Sequence, residues 1–430
     1  MSRHLLSLAF VAAAVAALCL SFGLRRRLST GDLPSPPEAR ARLVGVGREV
    51  PLDFPPRVTF ASEIPEAALT DIPDLNRPQF QPIGIPLILH SVRLWGRDSD
   101  FPVDRPRPGF QSDRVLPGRL MLGMLRDLRV FHENGGRDLE TLLIDSEYGI
   151  RVVTSQERLL DARSGSTHPD KFLQVMGECR MPLSTTVVPD SGRAGTLREV
   201  LDDSLLRFSM GQELDFTATA YAHYLPPNGT WKNRFGQACS LEGIAEALIA
   251  RPFGRGACNG MHAPFGLVNL QYADELAPFL SPRVRAAISA RLREYSRQLA
   301  RSQRPDGAWD REWSGHPMDQ ETRWLPHLDV VAGTGHHLEW LALARPEDRP
   351  PDEVVIKAIR FLCGHIPSLR GRYSIGFHGQ FPMTHAARAL ALHKGVDPCT
   401  FLRARAPDLA PESVPAPSPG PRRAGVQNPR

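Results

Sequence analysis

The sequence predicts an all-α domain built from stacked helical pairs. Three observations carry that reading: apolar stripes at helical spacing, helix-start signals ahead of them, and a shortage of strand patterns. Pro accounts for 40 of the 430 residues, about twice the usual share of about 5%. Because Pro breaks helix interiors, that excess belongs in loops and tails between and around the helices.

In chain order, the first element is Leu5 to Leu24, twenty residues without a charge, followed at once by Arg25, Arg26 and Arg27. At about 1.5 Å per residue, a helix of this length crosses a hydrocarbon core of about 30 Å. Residues 1–27 are therefore expected to be an uncleaved membrane anchor. A signal peptide or a lipoprotein signal at Cys19 stands as the alternative, although an arginine run is the wrong flank for cleavage. The three arginines place the main domain on the cytoplasmic side by charge bias, with the exported side left open. Residues 28–113 are dense in Pro and are expected to form a stalk or extended arm. Within them Pro86 to Trp95 (PLILHSVRLW) is apolar enough to dock on the main domain. Residues 114–403 are expected to be the helical domain. Residues 404–430, rich in Pro, Ala and Arg, read as a disordered tail.

Inside the helical domain, Gly118 to Phe131 carries one apolar face. Thr196 and Glu199 form a capping-box pattern before Val200, Leu201, Leu205 and Leu206. Ser240 caps the segment with Leu241, Ile244, Leu248 and Ile249, and Ser281-Pro282 supplies an N-cap and an N1 proline. Val284, Ile288, Leu292, Tyr295 and Leu299 then form one stripe, with Arg283, Arg291 and Arg301 on the solvated face. Asp352 to Leu362 and Pro382 to His393 repeat the pattern. Gly149 to Thr154 (GIRVVT) is the best strand signal, in a hairpin with its neighbours.

Composition excludes several classes of function. Basic and acidic residues nearly balance at 52 and 47, for a net charge of +5. Arg is scattered, with no basic stripe interleaved with aromatics, so no nucleic-acid partner is expected. The six cysteines contain no CxxC pair, which argues against a zinc ribbon or a disulfide framework. The GxxxxGK[ST], HExxH and GxSxG patterns are missing, so phosphate-loop, zincin and hydrolase-elbow chemistries have no support.

Four residues stand out as catalytic candidates. His336 and Glu339 are three apart on one helical face, where a carboxylate can orient an imidazole for acid–base work. Cys258 and His262 are four apart, on one face if helical. They suit either a nucleophilic thiol with its base or a zinc half-site. With no partners at ligand spacing, no bound metal or cofactor is expected. Glu213, Tyr221, Trp231, Asn233, Arg234 and Trp309 are the candidate substrate-binding residues, aromatic faces to stack on and polar groups to orient. The same types also build ordinary helix–helix cores. Asp306, Asp310 and Glu312 read first as turn formers beside Trp309 and Trp313.

The stretch Gln303-Arg-Pro-Asp306-Gly307-Ala-Trp309 ends a helix in a Gln…Asp-Gly-x-Trp turn. It resembles the QW repeat of the squalene cyclase and prenyltransferase superfamily. That resemblance implies an α/α toroid, with Gln and Trp tying the turn to the next helix. Gly335-His336-His337-Leu338-Glu339-Trp340 is similar to the Gly-His-x-x-Glu-Trp segment of N-acylglucosamine 2-epimerase-type isomerases, which also form α/α barrels. There the His takes part in proton transfer, with a second His further along the chain. Together these resemblances imply a membrane-anchored, toroid-like enzyme acting on a carbohydrate or lipid-linked (polyprenyl) substrate. The alternative is a non-catalytic membrane-tethered scaffold or binding module; protein partners are not indicated.

Overall fold

A computed structural model describes residues 35–69, 84–99, 117–134, 142–154, 166, 168–225, 228–316, 326–368 and 377–398. The expected anchor, its arginine flank and the expected tail lie outside these residues. Among the described residues no helix is long and apolar enough to cross a membrane.

The chain is mostly helical, as the periodicity predicts. Its helices are α1 (Pro36–Ala41), α2 (Ile85–Trp95), α3 (Gly118–Arg126), α4 (Leu128–Glu133), α5 (Lys171–Glu178), α6 (Leu197–Arg207) and α7 (Asp215–Tyr224). They continue with α8 (Leu241–Ala250), α9 (His262–Leu276), α10 (Pro282–Ser302), α11 (Pro326–Leu343), α12 (Asp352–Ser368) and α13 (Phe377–Lys394). Among the described residues three small antiparallel hairpins decorate the connections: β1–β2 (Leu143–Ser146, Gly149–Val152), β3–β4 (Thr186–Val187, Gly195–Thr196) and β5–β6 (Thr230–Lys232, Ala238–Ser240). The GIRVVT strand is β2, which pairs Gly149 with Ser146 and Val152 with Leu143.

Two kinds of helix alternate along the chain. Helices α2 and α7 are buried at every residue, and α5 and α9 at nearly every one. By contrast α10 and α12 bury one stripe each. In α10 that stripe is Val284, Ile288, Leu292, Tyr295 and Leu299, as the spacing predicts. At about 1.5–3 kcal/mol for each fully buried apolar side chain, it contributes on the order of 10 kcal/mol before entropy is subtracted. The buried helices touch in a closed cycle: α2 packs on α5, α5 on α7, α7 on α9, α9 on α11, α11 on α13, and α13 back on α2. Helices α8, α10 and α12 pack outside, each against the buried helix that precedes it, the one that follows it, or both.

The sequence signals are realised unevenly. Ser240 and Ser281 cap α8 and α10 by accepting from Gly243 N–H and Val284 N–H. Thr196 makes no cap hydrogen bond; it belongs to β4, and Glu199 pairs instead with Arg193. Arg291 is not simply solvated, since its guanidinium covers the Phe253 ring at 4.0 Å. Within the expected stalk, the stretch read as apolar enough to dock is α2, wholly buried and one member of the helix cycle. A run of apolar residues flanked by prolines was legible as docking; its place inside the domain was not.

The QW-like turn performs the bonding its residue types suit. Gln303 Nε2 donates to Gly307 O at 3.0 Å and to Val354 O of α12 at 2.7 Å, tying the end of α10 to the next outer helix. Trp309 Nε1 donates to Leu299 O, and Asp306 accepts from Ala308 N–H. Gly307 sits at φ +94°, where a Cβ would meet Lys357 O at 2.5 Å, so only glycine fits.

Candidate functional site

The helices of the cycle are apolar along most of their length, yet each turns polar or aromatic side chains toward the others at one level. From α2 come His90 and Arg93, from α5 Lys171, Gln174 and Glu178, from α11 His336 and Glu339, and from α13 His385 and Arg388. Helix α9 contributes His262 at its first residue, and α7 contributes Phe216. On α2, α11 and α13 the spacing is three residues, which puts an imidazole one helical turn from a charged group on the same face. The result is two polar layers in the middle of the cycle.

The first layer is built from imidazoles. His336 and His385 stack with ring centroids 3.7 Å apart, and His262 meets His336 edge-on at 4.8 Å. The close approach of α11 and α13 that brings the first pair together depends on Gly335. A Cβ there would lie 2.7 Å from Ala386 N. Three of the imidazoles have the same polarity. His90 Nδ1–H donates to Pro86 O, His336 Nδ1–H to Ala332 O, and His385 Nδ1–H to Glu339 Oε1 at 3.1 Å. Each Nε2 is then left as a lone pair. That of His90 accepts from Lys171 Nζ at 3.0 Å, whereas that of His336 is buried and has no hydrogen-bond partner among the described residues.

Cys258 completes the first layer. Its sulfur and one ring nitrogen each of His262 and His336 lie within 4.8 Å of one another. Cys258 does not share a helical face with His262, as their spacing suggested. It sits in the turn before α9 at φ +48°, followed by Asn259 at φ +54°. Left-handed backbone at a non-glycine residue costs on the order of 1–2 kcal/mol. The surrounding packing holds the thiol in place against that cost.

The second layer is ionic. Arg93 contacts Glu178 at 2.6 Å and Glu339 at 3.4 Å, and Arg388 contacts the same two carboxylates at 3.6 and 3.4 Å. Two guanidiniums and two carboxylates balance. Burial works against the Arg93 charge, but Glu178 and Glu339 hold it above its usual range. Burial likewise opposes ionisation of Glu178, and Arg388 and Arg93 together bring it down to about 2.

Protonation states follow from this environment. Burial lowers His336 to about 4, with Glu339 opposing, and lowers His90, His262 and His385 well below the ordinary imidazole range, with neighbouring positive groups adding to the effect. Burial also lowers Lys171 to about 7 and raises the Cys258 thiol to about 12. At neutral pH the layer therefore holds neutral imidazoles, a thiol and a lysine balanced between its two forms. A pre-formed thiolate nucleophile is not among them.

The sequence candidates thus separate into two groups. Cys258, His262 and His336 meet, and Glu339 joins them, although it bonds His385 rather than His336 on its own helix. Glu213 borders this centre through His168, whose Nδ1–H donates to its Oε2 at 3.0 Å and whose ring stacks on Phe216. The other binding candidates lie elsewhere. Tyr221 and Trp231 pack edge-on at a corner between α6, α7 and the β5–β6 hairpin, where Trp231 Nε1 donates to Leu205 O. Asn233 closes that hairpin's turn by accepting from Phe235 and Gln237 N–H and ties it to Phe208 by donating to the Phe208 carbonyl, and Arg234 reaches Glu147. Trp309 is held in the QW-like turn, edge-on to His337. A surface groove of about 610 Å³ beside Arg40, Arg198 and Asp202 is also distant from the centre in the fold, lying against α1 and α6.

His90, Arg93, Lys171, Glu178, His385 and Arg388 were not singled out by motif. Their signal is the histidine followed three residues later by a charge inside an otherwise apolar helix, as in His90/Arg93 and His385/Arg388. His336/Glu339 has the same form. Comparison with protein-family models, with curated proteins and with solved structures gives no match for this chain.

Proposed function

We propose that the helical domain is an enzyme whose reacting centre is the buried imidazole layer between α2, α5, α9, α11 and α13. The observation that carries this reading is convergence. Residues far apart in sequence, each of a type suited to catalysis, place Cys258 Sγ and one ring nitrogen each of His262 and His336 within 4.8 Å of one another. A purely structural core gains nothing from stacked neutral histidines beside a buried lysine, since buried polar groups cost free energy unless fully paired.

The chemistry the layer suits is proton transfer. His385, held by Glu339, presents a neutral imidazole able to accept a proton, and Lys171 near pKa 7 can both give and take one at neutral pH. His90, bonded to Lys171, acts as its positioning partner. The closed cycle of buried helices with others packed outside, and the QW-like turn, support an α/α toroid as the architecture. Phe216 and Phe265 near Lys171, Arg93 and Arg388 supply apolar faces beside charged groups, the combination a carbohydrate or a lipid-linked polyprenyl sugar requires. On this reading Leu5 to Leu24 holds the domain at a membrane where such substrates reside.

The test is turnover of a panel of free sugars and polyprenyl-linked sugars by the full-length chain in detergent. Activity is expected on at least one member, with a pH profile that falls as Lys171 and its neighbours change charge. Lys171→Met should abolish it. No turnover of any panel member, or full activity in the Lys171→Met chain, would end the proposal.

A further inference from the structure

The spacing of Cys258 and His262 offered only half of a metal site, and His336 on another helix supplies a third donor that the sequence order concealed. We infer that Cys258 Sγ and one ring nitrogen each of His262 and His336 bind a single zinc ion, with the fourth coordination position left for water or a substrate atom. This binding stands independently of whether the domain turns over a sugar.

Donor chemistry comes first. Two neutral nitrogens and a sulfur match a borderline-soft ion such as zinc and exclude magnesium and calcium, which take oxygen ligands. Geometry comes second. With bonds of about 2.0–2.1 Å to nitrogen and about 2.3 Å to sulfur, a tetrahedral ion separates its ligand atoms by about 3.3–3.6 Å. The three atoms lie within 4.8 Å of one another, so an inward shift of about 1 Å or less completes the set.

The orientation of His336 is the third argument. Its Nδ1–H is committed to Ala332 O at 2.7 Å, which fixes the tautomer and leaves Nε2 as a buried lone pair with no partner among the described residues. A histidine whose outer nitrogen donates to a backbone carbonyl while its inner one is bare is arranged as metal-bound histidines are. The left-handed backbone at Cys258 and Asn259 is the fourth, because strain held at one turn aims the thiol at the two imidazoles. Ion binding displaces the thiol proton to solvent, so thiolate and metal charge appear together. A three-ligand site with an open position is the form zinc takes when it activates water or a substrate oxygen.

The experiment uses the full-length chain, stripped with a chelator and titrated with cobalt(II) as a coloured stand-in. One equivalent should give the intense visible bands of a four-coordinate ion and a sulfur-to-cobalt charge-transfer band, both erased by added zinc. Cys258→Ser should remove the charge-transfer band, and His336→Asn should weaken binding at least about 100-fold, at or beyond what loss of an outer-sphere partner costs. Cys239→Ser, at a thiol on the β5–β6 hairpin, should change neither. Circular dichroism of each variant separates lost ligation from lost fold, and the conservative Cys258→Ser carries the test if His336→Asn unfolds. A folded wild-type chain with no charge-transfer band, or a band that survives in Cys258→Ser, overturns the inference. Turnover that persists in the stripped chain while cobalt fails to bind would reject the metal and leave the proton-transfer reading intact.

Discussion

Replacing Glu339 by alanine removes one of the two carboxylates that neutralise the ionic layer. Its Oε2 lies 3.4 Å from both Arg93 and Arg388, and its Oε1 lies 3.1 Å from His385. After truncation Glu178 alone faces two guanidiniums, and one positive charge stands uncompensated among side chains that are 3% to 14% exposed. Breaking a buried pair from one side costs about 3–5 kcal/mol. For a domain of this size that corresponds to a fall in Tm of roughly 5–8 °C. Urea and thermal unfolding followed by far-UV circular dichroism measure it. The double variant Glu339→Ala/Arg388→Met removes the surplus charge as well, and should recover about 1 kcal/mol or more over the sum of the single changes. A Glu339→Ala chain within about 0.5 kcal/mol of wild type would refute the account of this layer.

Other outcomes follow from the same structure. Lys171→Met should raise stability at pH 7 by about 2–4 kcal/mol, because the wild-type fold holds a lysine lowered to about 7 and, among the described residues, gives up one hydrogen bond to His90 in exchange. A lower urea midpoint would contradict this. Acidification should destabilise the fold. His393 is lowered to about 4 and His90 well below the usual 6.5, so the unfolded chain binds the extra protons below about pH 6.5. Stability then falls with pH, by about 2 kcal/mol per histidine at pH 5, and unfolding free energy measured from pH 7 to 5 should slope accordingly. Gly335→Ala should cost about 1–3 kcal/mol by forcing α11 from α13, whereas Gly364→Ala, with open space at its Cβ, should be neutral or stabilising by the same denaturation assay.

Periodicity located most of the helices because amphipathic stripes such as Val284 to Leu299 write burial directly into sequence. It failed where burial is complete. Ile85–Trp95 is buried all round, so no solvent-facing side sets its orientation, and its apolar run between proline-rich segments reads as docking without saying that it is a central helix. The candidate centre was half legible. His336 and Glu339 announce themselves by spacing on one helix, and Cys258 and His262 by proximity in one turn. That the two pairs meet depends on packing between α9 and α11, which no local pattern encodes. Aromatic clustering at Trp231 and Tyr221 fits a sugar platform and a structural corner alike, and the structure packs Trp231 edge-on against both Phe208 and Tyr221, away from the imidazole layer. Lys171 was hidden for a simpler reason: an isolated lysine at a helix start reads as surface, and only its burial against His90 gives it away.

The most direct test sets the two groups of candidates against each other in one turnover assay. On the substrate that the wild-type chain converts, His336→Asn and His385→Asn are compared with Trp231→Phe and Asn233→Ala, each first shown to be folded by circular dichroism. A reacting centre between the buried helices predicts that the two histidine variants lose at least about 100-fold in kcat/KM, the scale of a lost acid–base group, while the corner variants stay within a few-fold. Near-wild-type turnover in both histidine variants, with loss in the corner variants, would contradict it.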